Sequence, residues 1–436
     1  MKYRFRKRLS APGLLKLARS CFDNIQDTLL IRAISLSDCL MSGLAVFGLK
    51  YASLLQFDRG RDDEVVQSNL KNLYGIAQVL CDTYLRERLD NVEPKVLRQT
   101  FKQMFSQLQR GKALESYKAL SGYYLVSVDG TGYFSSNKVH CKGCCEKHHR
   151  NGRVTYYHQL LGAALVHPDH REVFPLMPEA IQQQDGTSKN DCERNAAKRL
   201  LTSIRQDHPD LKLMILEDAL ASNGPHIQIL RDLKMNFILG AKASDHGFLF
   251  DWVNNTAATR TVEFTDDQDV THRYRYLNRA PLNKTHCELE INFLEYWAIP
   301  PIGKALHFSW VTDVEITPEN VEPLMRAGRA RWRIENETFN TLKNQGYHFE
   351  HNFGHGYQHL STVLACLMML AFLVDQIQQR CCRLVQATQA VMQRKLYFWQ
   401  KLRRLFFEYL LPDWQTLYGA MLYGIKPTTP QLNNTS

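Results

Sequence analysis

YYLVSVDGTGYFSS, residues 123–136, is an apolar run that ends on an aspartate and two glycines. Its aromatic and β-branched residues, closed off by small ones, read as a buried strand. Asp129 falls at the strand's end, and Gly130 and Gly132 let a large ligand come close to the backbone. Runs of the same texture follow: YYHQLLGAALV (156–166), EVFPLMPEAI (172–181), LKLMILED (211–218) and NFILGAK (236–242). Between EVFPLMPEAI and LKLMILED, NDCERNAAKRLLTSIRQDH has helical spacing, with Asn190 as its cap. Strands followed by strand–helix–strand units predict an α/β core over residues 119–242. LKLMILED ends on Asp218 as the opening strand ends on Asp129, and ligands of open α/β sheets collect outside such strand ends.

Helical texture lies outward on the N-terminal side. Residues 1–118 carry apolar positions at spacings of three and four, as in LYGIAQVLCDTYLRERL and VLRQTFKQMFSQLQ, with a break at Pro94. A helical region that binds DNA is expected there. Residues 243–316 alternate instead (VEFTDD, HRYRYL, CELEINFLEYWAI, LHFSWVTDV) and predict a β-rich insertion. Core structure resumes over 317–357, where TPENVEPLMRAGRARWRIENETFNTLK reads as a helix capped by Thr317, with Pro318 first inside and Gly346 as the stop. Residues 358–436 are helical and amphipathic, and the closing KPTTPQLNNTS is expected to be disordered.

Composition restricts the function classes. A chain of 436 residues, 44% hydrophobic, can bury more than one core. Its formal charge is +10, and residues 1–20 and 380–404 each hold seven basic residues and no acid, which favours a polyanionic partner. A membrane surface is the competing partner. The longest apolar run, LSTVLACLMMLAFLV (360–374), has 15 residues, against the roughly 20 that a span needs, so no membrane partner is expected. Lys16 and Arg19 interrupt any export signal, and the eleven cysteines, odd in number and irregular in spacing, suit a reducing compartment. A cytoplasmic location follows, with most cysteines acting as small buried hydrophobes.

One cysteine cluster stands apart. HCKGCCEKHHRNGRVTYYH pairs Cys141 and Cys144 with His148 and His149, two thiolates and two imidazoles of the kind that hold structural Zn²⁺. The competing reading is a basic loop whose Lys142, Lys147, Arg150 and Arg153 lie on phosphate.

Acids inside a basic helix raise a sharper question. RWRIENETFNTLK (331–343) contains Glu335 and Glu337. A carboxylate from a helix beside the two strand ends would complete an oxygen site for Mg²⁺ or Mn²⁺, ions suited to phosphodiester displacement. Singly, each acid reads as a turn residue, a cap or a solvated surface group. The order of strand-end Asp, strand-end Asp and helical Glu in a basic chain is what singles them out.

VDGTGYFSS, ILEDALASNGPHI and RWRIENETFNTLKNQGYHFEHNFGHG, taken together over roughly 120–360, resemble bacterial insertion-sequence transposases with an RNase H-like core and an Asp-Asp-Glu triad. The resemblance implies Asp129 and Asp218 as the first two members. It also implies a divalent metal, hydrolysis at the element's end to free a 3′-hydroxyl, and transfer of that hydroxyl into target DNA. The partners implied are double-stranded DNA, as terminal repeats and target, and a second copy of the chain in the DNA complex. One branch of the family carries Tyr, two residues, Arg, three residues, Glu, six residues, Lys. Glu335 places Arg331 correctly, with Gly328 for the Tyr and Lys343 one residue late; Glu337 places Arg333 correctly, with Ala330 for the Tyr and Lys343 one residue early. The signature does not choose between them. Regular α-helical geometry does: Trp332, Glu335 and Phe339 share a face directed at the core, and Glu337, about 200° away, faces outward or toward Arg333. Glu335 is therefore taken as the third acid, with Arg331, Arg333 and Lys343 as phosphate-holding cations. His348, His351 and His355, near Gly354 and Gly356, read as packing or loop residues. An inactive DNA-binding regulator and a nuclease without strand transfer are the alternatives.

Overall fold

Ser35, Ser53 and Asp63 each accept the backbone N–H three residues ahead, and each opens a helix. Such caps set the N-terminal region of the computed structural model, which describes residues 8–27, 34–186 and 189–425, excepting the side chains of 184 and 189–191. The region is helical: α1 Ala11–Asp23, α2 Leu36–Gly48, α3 Leu54–Arg59, α4 Glu64–Asn69, α5 Asp82–Asp90 and α6 Arg98–Arg110.

The strands that follow are β1 Lys118–Ala119, β2 Tyr123–Ser136, β3 Cys145–His148, β4 Val154–His167, β5 His170–Pro175 and β6 Glu179–Ile181. Helix α7, Lys189–Asp207, leads to β7 Leu213–Glu217, and α8, Gly224–Asp232, leads to β8 Asn236–Gly240. The cap expected at Asn190 falls among side chains outside the described set. After α9, Gly247–Asn255, come β9 Arg260–Thr265, β10 Thr271–Pro281, β11 Glu290–Ile299 and β12 Leu306–Thr312.

Among the described residues these strands form one mixed sheet, ordered β3-β4-β2-β7-β8-β12-β11-β10-β9, with β1 beside β2 and both β5 and β6 beside β4. β2 runs antiparallel to β4 and parallel to β7, and β7 runs parallel to β8. The β-rich segment is continuous with this core sheet. Trp310, Val311 and Thr312 of β12 pair with Gly240, Leu239 and Ile238, covering an edge that β8 would otherwise expose. The segment also opens with a helix, α9, which the alternating pattern did not predict.

The long helix expected from Pro318 is broken. α10, Val321–Arg329, starts three residues later, because the Asn320 side chain accepts the Thr317 N–H and closes a turn first. A 3₁₀ turn, Ala330–Trp332, a π-helical stretch, Ile334–Phe339, and α11, Asn340–Asn344, then carry the chain to Gly346, which has φ +92°.

α12, Leu360–Cys381, is long and apolar enough by length and composition to cross a membrane, yet 89% of its apolar window is buried, against neighbours that include α2, α5 and β5. It serves as a core helix, and its buried Gln376 accepts the Val173 N–H on β5. α13 Arg383–Met392, α14 Lys395–Glu408 and α15 Trp414–Tyr423 complete the chain; KPTTPQLNNTS lies outside the described residues. The first and last helical regions interlock. Asn69 donates to the carbonyls of Phe406 and Tyr409 and accepts from Leu411, and the Trp414 indole donates to the Leu73 carbonyl. Lys50, 2% exposed, donates to Asp375 on α12 at 2.7 Å and lies over the rings of Tyr347 and Trp399.

Candidate active site

Alternation along β2 puts Ser127 and Asp129 on one face of the sheet. The Ser127 hydroxyl donates to the Arg331 carbonyl at 2.7 Å, so this is the face on which the segment from α10 to α11 packs. β2 and β7 pair from Tyr124↔Leu213 to Ser127↔Leu216. The pairing stops there, and Asp129 and Asp218 each stand two residues beyond its last pair on the two adjacent chain segments. Asp218 stays extended, at φ −76° and ψ −177°, and accepts the Leu220 N–H as it caps the next turn.

Arg331 joins the acids. Its guanidinium lies 3.4 Å from Asp129 Oδ2 and 2.7 Å from Glu335 Oε1. Asp129 Oδ1 accepts the Gly130 N–H at 2.8 Å. Burial pushes the Asp129 carboxyl up to about 7: Arg331 opposes the shift, and the neighbouring Glu335 carboxylate reinforces it. Two carboxylates sharing one guanidinium in a partly desolvated corner are short of positive charge.

Glu335 reaches this position by a different geometry from the expected one. Ile334–Phe339 has π-helical pairing, whose wider turn alters the angular offset between residues. Trp332, in the 3₁₀ turn before this stretch, is not directed at the core; it is 49% exposed, and Ile334, Thr338 and Phe339 are the buried residues. Phe339 seats against Gly162 of β4, where a Cβ would come 2.9 Å from the ring. Glu337 turns away from the acids to Arg333, at 3.9 Å.

The three cations singled out by sequence are all engaged. Arg331 lies between the acids, Arg333 donates to the Pro168 carbonyl, and Lys343 pairs with Glu350 at 2.8 Å. Sequence reasoning missed a buried pair next to the second aspartate: His226 Nε2 lies 2.5 Å from Glu217 Oε2. Burial alone would lower the His226 pKa, but Glu217 outweighs it and holds the imidazole above its ordinary value. The signal was present in ILEDALASNGPHI, where strand-end Glu217 and His226 stand nine residues apart.

The cysteine cluster differs in its imidazoles. His148 lies on β3 against Glu146 and is 70% exposed, and His149 meets the Thr155 hydroxyl, so neither joins the thiols. The group that forms is Cys141, Cys144, His158 and His355, whose ligand atoms all lie within 4.8 Å of one another. His158 comes from β4 and His355 from the loop after α11, 211 residues beyond Cys144. Among the described residues no cysteine is placed in a disulfide. A cavity of about 840 Å³ lies beside this cluster, with Lys95, Arg98, Lys142 and His158 in its wall and none of the three acids.

No family model matches the chain, and no curated protein matches it. Among solved structures, the chain is similar to the piggyBac transposase in its synaptic complex with hairpin DNA, at 9% identity and a TM-score of 0.40, over 97% of this chain and 85% of that one. A likeness at that level defines neither fold nor chemistry, which rest on the residues described above.

Proposed function

We propose that the chain is a DNA transposase whose RNase H-like core uses Asp129, Asp218 and Glu335 to hold Mg²⁺ or Mn²⁺. One observation carries the reading: Asp129 from the middle of β2 and Glu335 from the π-helical stretch, far apart in sequence, meet on either side of Arg331. The order of the central strands supports it, with antiparallel β4 and β2 followed by parallel β7 and β8, and with Asp129 and Asp218 just past the point where β2 and β7 stop pairing. The donor set suits a hard divalent cation, being all carboxylate and carrying a proton near neutrality where no cation balances it. When bound, such an ion would stabilise charge on a scissile phosphate and make water a better nucleophile.

The chain's own residues orient and balance charge. Arg331 partly balances the two acids, and its planar fork matches two phosphate oxygens of a bound DNA strand. Arg333 and Lys343 lie on the same segment and would have to leave the Pro168 carbonyl and Glu350 to reach phosphate. Hydrolysis of one phosphodiester leaves a 3′-hydroxyl and a 5′-phosphate. Attack by that hydroxyl on a target phosphodiester forms one P–O bond as another breaks. Two copies of the chain would bring two element ends together in the cytoplasm.

The test is cleavage of DNA carrying the element's ends in Mg²⁺. Asp129→Asn, Asp218→Asn and Glu335→Gln are each expected to abolish cutting, and Glu337→Gln to retain it. Normal cutting by all three acid variants removes the reading. Cutting without joined products identifies a nuclease, and specific binding without cutting by the unmodified chain identifies a regulator.

A further inference from the structure

The two thiols and two imidazoles have the dimensions of a filled tetrahedral site. With Zn–S about 2.3 Å and Zn–N about 2.0–2.1 Å, a regular tetrahedron has a sulfur–sulfur edge of about 3.8 Å and sulfur–nitrogen edges of about 3.6 Å. Cys141 Sγ and Cys144 Sγ are 4.0 Å apart. His158 Nε2 is 3.4 Å from each sulfur, and His355 Nε2 is 3.5 Å from Cys144 Sγ.

The surroundings are those of a closed site. Cys144, His158 and His355 are 2%, 5% and 7% exposed, so three of the four groups are shut off from water. Cys141 and Cys144 form a tight turn, in which the Cys144 N–H donates to the Cys141 carbonyl and the Cys141 N–H points at Cys144 Sγ. The strand register holds His158: β2 shifts between Gly132 and Phe134, bringing His158 opposite Phe134. The rings of Phe134 and His158 flank His355 at centroid distances of 4.4 and 5.0 Å. The His355 loop is fixed independently, since Asp90 accepts the N–H groups of Tyr357, Gln358, His359 and Leu360.

We propose that Cys141, Cys144, His158 and His355 bind one structural Zn²⁺, which clasps the β2–β4 hairpin to the loop that follows the Glu335 segment. Two thiolates with two imidazoles in a closed, four-ligand arrangement suit zinc over the harder cations that carboxylates hold. Asp129 lies on one clasped element, and the loop on the other leaves the segment bearing Glu335, so the clasp fixes the distance between them from outside the carboxylate site. The two metal sites differ in donor chemistry and do not compete for the same ion.

The full chain, purified without chelator, should contain about one zinc per molecule by elemental analysis. Cys144→Ser and His355→Gln should each lose most of it, and His148→Ala and His149→Ala should keep it. Replacing zinc with Co²⁺ in the unmodified chain gives a readout that does not depend on how a variant folds: visible absorption of a tetrahedral site with thiolate charge-transfer bands is expected. A zinc-selective chelator with Mg²⁺ kept in excess should speed proteolysis at residues 346–359. Zinc-free protein that neither takes up zinc nor gives the cobalt spectrum overturns the proposal, as does full retention of zinc by both Cys144→Ser and His355→Gln. Loss of DNA cleavage with zinc content intact bears on the carboxylates alone.

Discussion

Asp129→Asn should make the metal-free protein more stable, and by an amount that grows with pH. In the unfolded chain an aspartate titrates near its ordinary value; in the fold, burial and Glu335 hold Asp129 at about 7. Between those values the folded state binds a proton that the unfolded state has released. Stability therefore falls as pH rises through this window and levels off above about 7. Each unit of difference corresponds to about 1.4 kcal/mol, so the full window is worth about 4 kcal/mol, and the part above pH 5 a little under 3. The Asp129 side chain is 25% exposed, and solvent screening reduces the effect between pH 5 and pH 8 to about 2 kcal/mol. Asparagine resembles the neutral acid in shape and cannot ionise, and Arg331 keeps Glu335 as its partner. Urea unfolding of both proteins at pH 5 and pH 8 with a divalent-metal chelator present measures the difference, with other titrating groups cancelling. Adding Mg²⁺ should stabilise the unmodified protein and leave the variant unchanged. If the variant gains nothing on the unmodified chain between pH 5 and pH 8, ionised Asp129 is not destabilised by its burial and by Glu335, and the carboxylates are not short of positive charge.

Other parts of the fold give further expectations. Gly162→Ala, which sets a methyl 2.9 Å from the Phe339 ring, should displace the Glu335 segment; DNA cleavage should fall by about tenfold or more, at a cost of about 1–3 kcal/mol in urea unfolding. Asp375→Ala leaves Lys50 buried without its carboxylate and should cost about 3–5 kcal/mol, whereas Lys50→Met with Asp375→Leu should come much closer to neutral. A double variant as unstable as the single one would show that packing, and not the stranded charge, sets the loss. The His226 imidazole is held above its ordinary pKa by Glu217, so its stabilising contribution is complete below about 6.5 and is lost as pH rises through the higher folded value. His226→Gln should remove that decline, read as thermal midpoints from pH 6 to pH 9.

The two aspartates were legible because apolar strands announce themselves; Asp218 does follow the end of β7, but β2 runs on through Asp129 to Ser136, because β4 pairs with it beyond the point where β7 stops. Their parallel adjacency follows from the β2–β7 register, which sequence does not state. Glu335 was chosen on a regular 3.6-residue turn, with Trp332 as a core residue on the same face. The segment instead widens into a π-helix and Trp332 faces solvent. That change comes from packing Ile334 and Phe339 against the sheet, a tertiary demand that local spacing cannot reveal. The cysteine cluster shows the same limit. Cys141 and Cys144 are neighbours in sequence, but strand pairing draws His148 away to Glu146, and His355 arrives from the far side of the inserted strands. The continuity of those strands with the core sheet depends on β12 pairing with β8, a contact between segments about 70 residues apart.

The interlocking of the helices at either end of the described chain bears on the order in which the protein is made. α2 is buried along nearly its whole length. Among the groups that complete its surroundings are Phe353, Leu367 and Asp375, all synthesised more than 300 residues later. A nascent chain holding α1 to α6 thus displays an apolar surface whose cover does not yet exist. Burial of α2 is complete only once α12 has left the ribosome. The same delay governs the acids, because Glu335 precedes α12 by only 25 residues in the sequence. Incomplete chains would expose sticky helices before Glu335 can meet Asp129, and chaperone demand should stay high until α12, in the last fifth of the chain, has been made.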